Sequence, residues 1–310
     1  MTFAPIIAFV YNRLDHTKEM IEALRKNRFA AESELFIVSD GYKNDEDRIK
    51  VDSVRDYCKS ISGFLKVHLI FRKKNYGLRN NIISGLNSIF KHYDRAIVLE
   101  DDIVTAPEFL NYMNFALDRY KEEEKVYSIS GYTAPYDKEG LPDFFFTYWI
   151  ECWGWGTWKD RWEKMNSNPR ELIKETGKDL IRFININGTS PDMWDTVLLN
   201  YQKRKRTWAI FFHSMVCKEN GLVLFPKKSL CKNIGFDGSG ENCDISEDYR
   251  VNLEEKEVSE YDFPGECLVN ESAVRSFEEF NRQRIAKWGM LGKCMIIFKT
   301  KLFYVLRRLI

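Results

Sequence analysis

The feature that most constrains the fold is a fourfold alternation of apolar runs and amphipathic segments in the first hundred residues. Segments 5–10, 35–38, 65–71 and 96–99 are made mostly of apolar residues, and each has the length of one strand. The segments between them carry apolar residues at helical spacing. This order predicts an α/β fold with a doubly wound, mostly parallel sheet flanked by helices.

Polar residues follow three of these four predicted strands at once. They are Asn12-Arg13, Ser39-Asp40 and Glu100-Asp101-Asp102. Ligands of doubly wound sheets bind beyond the carboxyl ends of the strands. We therefore expect one functional site along this edge of the sheet.

The second half of the chain is less regular. We expect a mixed arrangement of helices and strands there. The predicted helices lie around 170–184 and 192–204, and the predicted strands at 144–149, 207–212 and 222–225.

The domain organisation follows from these patterns. We predict one domain over 1–240, with a regular half at 1–130 and a less regular half at 131–240. Residues 241–284 are acidic and irregular and are predicted to form a linker, and 285–310 are predicted to form a basic amphipathic helix.

Composition excludes several classes of protein. The 47 Lys and Arg nearly balance the 46 Asp and Glu, which argues against nucleic-acid binding through bulk charge. The seven cysteines never have C-x-x-C spacing, as expected for buried thiols in a reducing cytosol. The early apolar run is too short for a signal peptide, so we predict a cytoplasmic protein.

The sharpest chemical signal is the acidic triplet, Glu100-Asp101-Asp102. Three carboxylates at one strand end repel one another unless a cation or hydrogen bonds offset the repulsion. Mg²⁺ and Mn²⁺ bind through one or two carboxylates together with substrate phosphates. The triplet therefore predicts a Mn²⁺ or Mg²⁺ site that holds a diphosphate. The alternative is a solvated acidic turn that also caps the next helix. As residues of an exposed turn, these acids are expected to contribute little to stability.

Several short segments resemble a known family in order and spacing. The chain resembles GT-A-fold glycosyltransferases of the bacterial family-2-like group. Within that fold it is similar to the N-acetylglucosaminyltransferase that initiates complex N-glycans. The matching segments are 9–13, 38–41, 75–78, 98–104, 106–109, 154–155 and 193–195.

The resemblance implies a role for each matching residue in binding a UDP-sugar. It also implies that 1–130 form the nucleotide-sugar-binding half of the domain and 131–240 the acceptor half. Mn²⁺ would be bound by the last acid of the triplet, Asp102. The implied donor contacts are Arg13 and Asp40 with the uracil and ribose, Glu100 and Asp101 with the ribose and sugar, and Arg79 and Asn81 with the diphosphate.

Inverting transfer needs a general base on the acceptor side of the anomeric carbon. Asp195 follows Trp194 in a pattern that resembles the family's base, so we predict Asp195 as the base with Trp194 beside it. Asp192, at the predicted helix start, is expected to cap that helix. Within the tryptophan-rich segment 153–158, Trp155 is predicted to line the pocket and the other tryptophans to lie in the core.

Two further features complete the predicted site. The glycine-rich loop 235–240 is a candidate lid that would exclude water from the bound donor, although its glycines also fit a plain turn. His213 lies among apolar residues, and we expect it to be a core group rather than a metal ligand.

The C-terminal segment 285–310 lies in a stretch with no acidic residue after Glu279. Its mixture of basic, aliphatic and aromatic residues is typical of a helix on an anionic membrane surface. We predict peripheral attachment to the inner face of the cytoplasmic membrane. A helix docked on the domain or on a second copy is the alternative.

Together these features predict a metal-dependent, inverting glycosyltransferase. It would use a nucleotide diphosphate sugar and a hydroxyl of a glycan or lipid-linked acceptor, in the biosynthesis of a surface polysaccharide. A sugar-phosphate nucleotidyltransferase is one alternative, but that class has a glycine-rich loop after the first strand and 11–15 contain no glycine. A non-catalytic carbohydrate-binding or scaffold protein is the other.

Overall fold

A computed structural model describes residues 2–240, 246–253 and 261–287 of the chain. Within these ranges ten strands and ten helices form. The strands are β1 Ile6–Val10, β2 Glu34–Ser39, β3 Lys66–Phe71, β4 Arg95–Glu100, β5 Ile103–Thr105, β6 Val126–Ser130, β7 Phe144–Thr147, β8 Trp155–Trp158, β9 Leu222–Pro226 and β10 Cys231–Asn233. The helices are α1 Leu14–Arg25, α2 Asp45–Lys59, α3 Leu78–Ile89, α4 Phe109–Arg119, α5 Lys159–Trp162, α6 Pro169–Glu175, α7 Lys178–Ile184, α8 Asp192–Tyr201, α9 Ala209–Lys218 and α10 Glu271–Lys287.

Eight strands form one central sheet in the order β3-β2-β1-β4-β8-β6-β9-β7. The first four strands along this order run parallel. Beyond them β8 pairs antiparallel with β4 and β6, β6 pairs parallel with β9, and β7 closes the sheet antiparallel to β9. The predicted α/β class, with a mostly parallel sheet and a mixed second half, is confirmed.

The carboxyl ends of β1, β2 and β4 lie side by side because these strands are parallel neighbours. Their registers align Phe9 with Val38 and with Glu100. The polar residues that follow each strand are therefore brought to one edge, as predicted. A separate two-stranded ribbon of β5 and β10 lies directly after the acidic triplet.

Two secondary-structure predictions in the second half are wrong. The apolar run 207–212 was expected to be a strand, but its greater part opens α9, which is buried on nearly every face. A continuous apolar run fits a buried strand and a buried helix equally well. The helix expected over 170–184 is interrupted at Thr176-Gly177 and forms α6 and α7.

The region predicted as an irregular linker over 241–284 also differs from expectation. Its last part belongs to α10, which begins at Glu271 and buries Ala273, Val274 and Phe277. An isolated parallel bridge joins Val269 to Phe146 of β7. The acidic residues before this helix masked its amphipathic spacing in the sequence.

Only the first three residues of the predicted membrane-binding segment 285–310 belong to the described part of the chain, as the last residues of α10. Residues 288–310 lie outside the described residues. No helix within the described ranges has the length and apolarity needed to span a bilayer.

Candidate active site

A cavity of about 240 Å³ opens at the carboxyl ends of β1, β2 and β4. Its walls come from both halves of the chain. The charged and amide residues in its lining are Asn12, Arg13, Asp40, Lys43, Asn75, Asn81, Glu100, Asp101, Asp102 and Asn233. Cys152, Trp153, Thr207 and Trp208 close the opposite wall.

The acidic triplet is held by an arginine from the neighbouring strand end. Nη2 of Arg13 lies 2.8 Å from Oδ2 of Asp102 and also donates a hydrogen bond to Oδ1 of Asp101. Asp101 and Asp102 are only 4% and 8% exposed. The expectation of exposed turn acids with little influence on stability is therefore wrong, because these carboxylates are buried and ion-paired.

Burial and mutual repulsion control the ionisation of the triplet. Burial, together with Asp102 and Asp101, raises the pKa of Glu100 to about 8. Burial also raises the pKa of Asp101, while Arg13 opposes that change. Burial would lower the pKa of Arg13, but the two aspartates outweigh it and raise that pKa. The cluster thus pairs Arg13 with Asp101 and Asp102, while burial and the two aspartates favour the neutral form of Glu100.

Whether these residues suit a divalent cation can be judged from their donor atoms. Oδ2 of Asp101 is buried without a hydrogen-bond partner, and Asp102 faces the same cavity. Hard carboxylate oxygens of this kind suit Mg²⁺ or Mn²⁺. Among the residues that the structure describes, no group of three or more His, Cys, Asp or Glu is arranged to hold a metal. A cation here would take its other ligands from donor phosphates and water.

Asp40 does not point freely into the cavity. Its Oδ1 accepts hydrogen bonds from the backbone N–H groups of Gly41 and Tyr76, each at 2.8 Å, and its Oδ2 accepts from the N–H of Gly77 at 2.9 Å. Asn75 donates to the carbonyl of Gly41 at 2.6 Å. Asp40 therefore fastens the loop before α3 to the end of β2 and shapes the cavity floor.

The two residues predicted to contact the diphosphate are separated by the structure. Asn81 lines the cavity and accepts a hydrogen bond from Nε of Arg72 at 3.2 Å. The guanidinium of Arg79 instead donates to the carbonyl of Ser167 and lies 4.7 Å from the ring centre of Phe211. Arg79 is outside the cavity lining, because its position on α3 faces α9 rather than the strand ends.

The tryptophan predicted to line the pocket lies in the core. Trp155 on β8 is 1% exposed and stacks on Trp208 with ring centres 5.1 Å apart. Trp153 lines the cavity instead, with its ring in edge contact with Tyr132 and Phe236. Gly154 between the two tryptophans has a φ of +64°, a left-handed conformation that separates their directions.

The predicted base, Asp195, lies in the first turn of α8 and is not among the residues lining the cavity. Trp194 beside it is 3% exposed and belongs to the core. Asp192 is the first helical residue rather than the cap, which is Pro191, and its Oδ1 lies 3.8 Å from Nη2 of Arg284.

Glu151 is a candidate functional residue that sequence reasoning missed. It directly precedes Cys152 and Trp153 of the cavity wall. Burial raises the pKa of its carboxyl to about 8, and the nearby charge of Arg284 opposes this change. A single acid inside an aromatic segment gives no spacing signal, so only the fold reveals its position near the cavity.

The glycine-rich loop starts beside the acidic triplet. The N–H of Ile234 donates to the carbonyl of Asp102 at 2.9 Å, and Ser239 and Gly240 line the cavity. His16 lies 3.2 Å from Asp237 in the same loop. The glycine-rich loop therefore lies beside the cavity, where a lid would have to be, and lid closure stays a prediction.

His213 is a buried residue of α9, and its Nε2 lies 2.8 Å from the carbonyl oxygen of Ile184, as expected for a core group.

Comparison with known proteins adds a finding independent of this geometry. Residues 6–148 match the model of glycosyl transferase family 2. This family 2 segment contains β1 to β7 and the acidic triplet, with Arg13 and Asp40. No curated protein matches the chain.

Two solved structures are similar to the chain at low identity. The mannosyltransferase PcManGT from Pyrobaculum calidifontis, solved with GDP-Man and Mn²⁺, is 14% identical with a TM-score of 0.35, covering 57% of this chain and 48% of that one. TarS of S. aureus is 16% identical with a TM-score of 0.34, covering 51% of this chain and 28% of that one. This chain thus aligns with less than half of either protein.

Proposed function

We propose that this protein transfers a sugar from a nucleotide diphosphate sugar to a hydroxyl group of an acceptor. The observation that carries the proposal is the cavity at the ends of β1, β2 and β4, where Arg13, Asp40 and the acidic triplet meet. The match of residues 6–148 to glycosyl transferase family 2 supports it.

The donor is proposed to be a UDP-sugar. Arg13, Asp40, Asn75, Glu100 and Asp101 all line the cavity. Arg13, Asp40 and Asn75 would contact the nucleotide, and Glu100 and Asp101 would contact the ribose and sugar. A bound Mn²⁺ or Mg²⁺ on Asp102 would stabilise the negative charge of the departing diphosphate. Arg13 places a fixed positive charge beside the same carboxylates, which offsets their repulsion before substrate arrives.

Transfer is proposed to proceed with inversion, with Asp195 as the group that accepts the acceptor's proton. Asp195 lies in the first turn of α8, in the second half of the chain. Closure of the loop 235–240 would exclude water and limit hydrolysis of the donor. The acceptor is proposed to be a glycan or lipid-linked molecule of a surface polysaccharide, reached at the membrane through 285–310.

The test is release of UDP from a panel of UDP-sugars in the presence of Mn²⁺. Wild-type protein should release UDP from at least one donor, and EDTA should stop the release. Asp102→Asn should lower turnover at least 100-fold, while Asp45→Asn, a matched change in an exposed acid at the start of α2, should have no effect. Metal-independent turnover in Asp102→Asn at the wild-type rate would remove the metal assignment. Failure of every nucleotide sugar to bind would refute the function itself.

A further inference from the structure

Four consecutive cations lie between α8 and α9, directly before two residues of the cavity wall. Lys203, Arg204, Lys205 and Arg206 are all exposed. The next residues along the chain, Thr207 and Trp208, line the cavity wall. No ion pair involves any of the four cations within the described part of the chain. We call residues 203–206 the basic loop.

The basic loop is anchored at its base. Buried Asn200 accepts a hydrogen bond from the N–H of Thr207 at 3.0 Å and donates one to its hydroxyl at 2.9 Å. The N–H groups of Arg204 and Lys205 both bond to the carbonyl of Leu199, at 2.9 and 3.2 Å. These bonds hold the backbone of the basic loop next to the cavity wall.

A fifth cation increases the positive charge at this place. Arg79 is packed against Phe211 of α9, and both burial and the charge of Arg206 lower its pKa. Two guanidinium groups near each other repel, and an anion between or beside them would relieve that repulsion. The chain as a whole carries a formal charge of only +1, so this concentration of cations is local.

We infer that the basic loop binds phosphate groups of the acceptor substrate. Arginine guanidinium groups form paired hydrogen bonds with phosphate oxygens, and lysines add point charges. The loop belongs to the second half of the chain, whereas the residues proposed to bind the donor nucleotide follow β1 and β2. The inference rests on the proposed function, because it takes this side of the cavity as the acceptor side.

The test uses the full chain and two charge-neutralising variants with four substitutions each. The first is Lys203→Gln, Arg204→Gln, Lys205→Gln and Arg206→Gln. The matched control is Lys66→Gln, Lys91→Gln, Lys121→Gln and Lys125→Gln, at exposed positions beside the amino ends of strands on the opposite edge of the sheet. All eight side chains are exposed, so both variants should fold, and thermal unfolding verifies this.

Binding of inorganic pyrophosphate and of UDP is measured separately by calorimetry at low salt. The basic-loop variant should bind pyrophosphate at least tenfold more weakly than wild type, with UDP affinity changed less than twofold. The control variant should retain wild-type affinity for both. Equal weakening in the two variants, or none in the first, would overturn the inference. Weaker UDP binding in the basic-loop variant would place donor phosphates there and also overturn it.

Membrane lipids are a second source of phosphate, and vesicles distinguish them from the acceptor. Wild-type protein is sedimented with phosphatidylglycerol vesicles in the presence and absence of pyrophosphate. Equal sedimentation of wild type and the basic-loop variant supports an acceptor phosphate as the ligand. Sedimentation lost only in the basic-loop variant and unaffected by pyrophosphate would assign the loop to the membrane instead. If wild type binds pyrophosphate through the loop but no nucleotide sugar, the proposed function fails and the phosphate site remains.

Discussion

Nη2 of Arg13 lies 2.8 Å from Oδ2 of Asp102 and is shared with Asp101, so one guanidinium bridges two of the three acids in the cavity. The side chain of Arg13 is 17% exposed and those of the two aspartates are 6% and 12% exposed. This is a nearly buried ion-pair network inside the proposed donor site, and it has consequences for both stability and cation binding.

Arg13→Gln should destabilise the protein by about 3–5 kcal/mol, because it leaves buried carboxylates without their cation. Mn²⁺ should then raise the melting temperature of the variant more than that of wild type. Thermal unfolding with and without Mn²⁺ measures both effects. Arg48→Gln removes an exposed arginine of α2 and should change stability by less than about 0.5 kcal/mol. Equal stability of Arg13→Gln and wild type would contradict the network.

Asp40→Ala should lower stability by about 3 kcal/mol or more, because it removes the acceptor of three backbone N–H groups. Asp40→Asn keeps one acceptor oxygen and should lose less. Gly41→Ala should be similarly harmful, since a Cβ there would lie 2.3 Å from the carbonyl carbon of Lys74. Urea unfolding measures all three. A harmless Gly41→Ala would show that the two loops can separate without cost.

Asp195→Asn should reduce transfer by a factor of roughly 10² to 10⁴ with little change in donor affinity, as expected for loss of a general base. Asp192→Asn, one turn earlier on α8, should transfer within a few-fold of wild type and lose only its contact with Arg284. Calorimetry of donor binding and transfer rates with the true acceptor separate the two. The reverse pattern would assign the base to Asp192, and normal transfer in both variants would exclude α8 as its source.

Glu151→Gln should change how stability depends on pH. The pKa of Glu151 is about 8 in the folded protein against an ordinary value of 4.5. Between these values the folded protein holds a proton that the unfolded chain has released, so stability falls as pH rises from about 4.5 to 8, by up to about 1.4 kcal/mol per pH unit. The variant should fall less steeply and exceed wild type at pH 8.

Urea unfolding at several pH values measures this slope. Glu100 also has a raised pKa of about 8 and should retain part of the decline in the variant. Glu163→Gln, an exposed change on the surface, should leave the slope of wild type unaltered. Parallel curves for Glu151→Gln and wild type would show that Glu151 is ionised in the folded state.

The sequence predicted the first half of the chain well because its strands are parallel neighbours. Each of β1, β2 and β4 is mostly apolar. The polar residues that follow these strands meet because the strands are parallel neighbours in register. The cluster of Arg13, Asp40 and the acidic triplet was therefore predictable from strand ends alone.

The second half was predicted less well because its sequence pattern does not distinguish a buried helix from a buried strand, or a residue of the cavity wall from one of the core. The apolar run that opens α9 is buried on all faces, so it shows no helical period. Trp153 and Trp155 look alike in sequence, and only the left-handed Gly154 directs the first to the cavity and the second to the core. The rotation of α3 about its own axis decides which of its residues face the cavity, and the sequence does not specify that rotation. In the structure it directs Arg79 toward α9.

The order of strands in the sheet also has a consequence during synthesis on the ribosome. β6 is fully buried, yet both of its neighbours, β8 and β9, are translated after it. Until β8 has been translated, β4 also has one unpaired edge, while its other edge is already paired with β1. Nascent chains that stall in the interval between β6 and β8 would expose three unpaired strand edges, both edges of β6 and one of β4, and such edges pair with other chains.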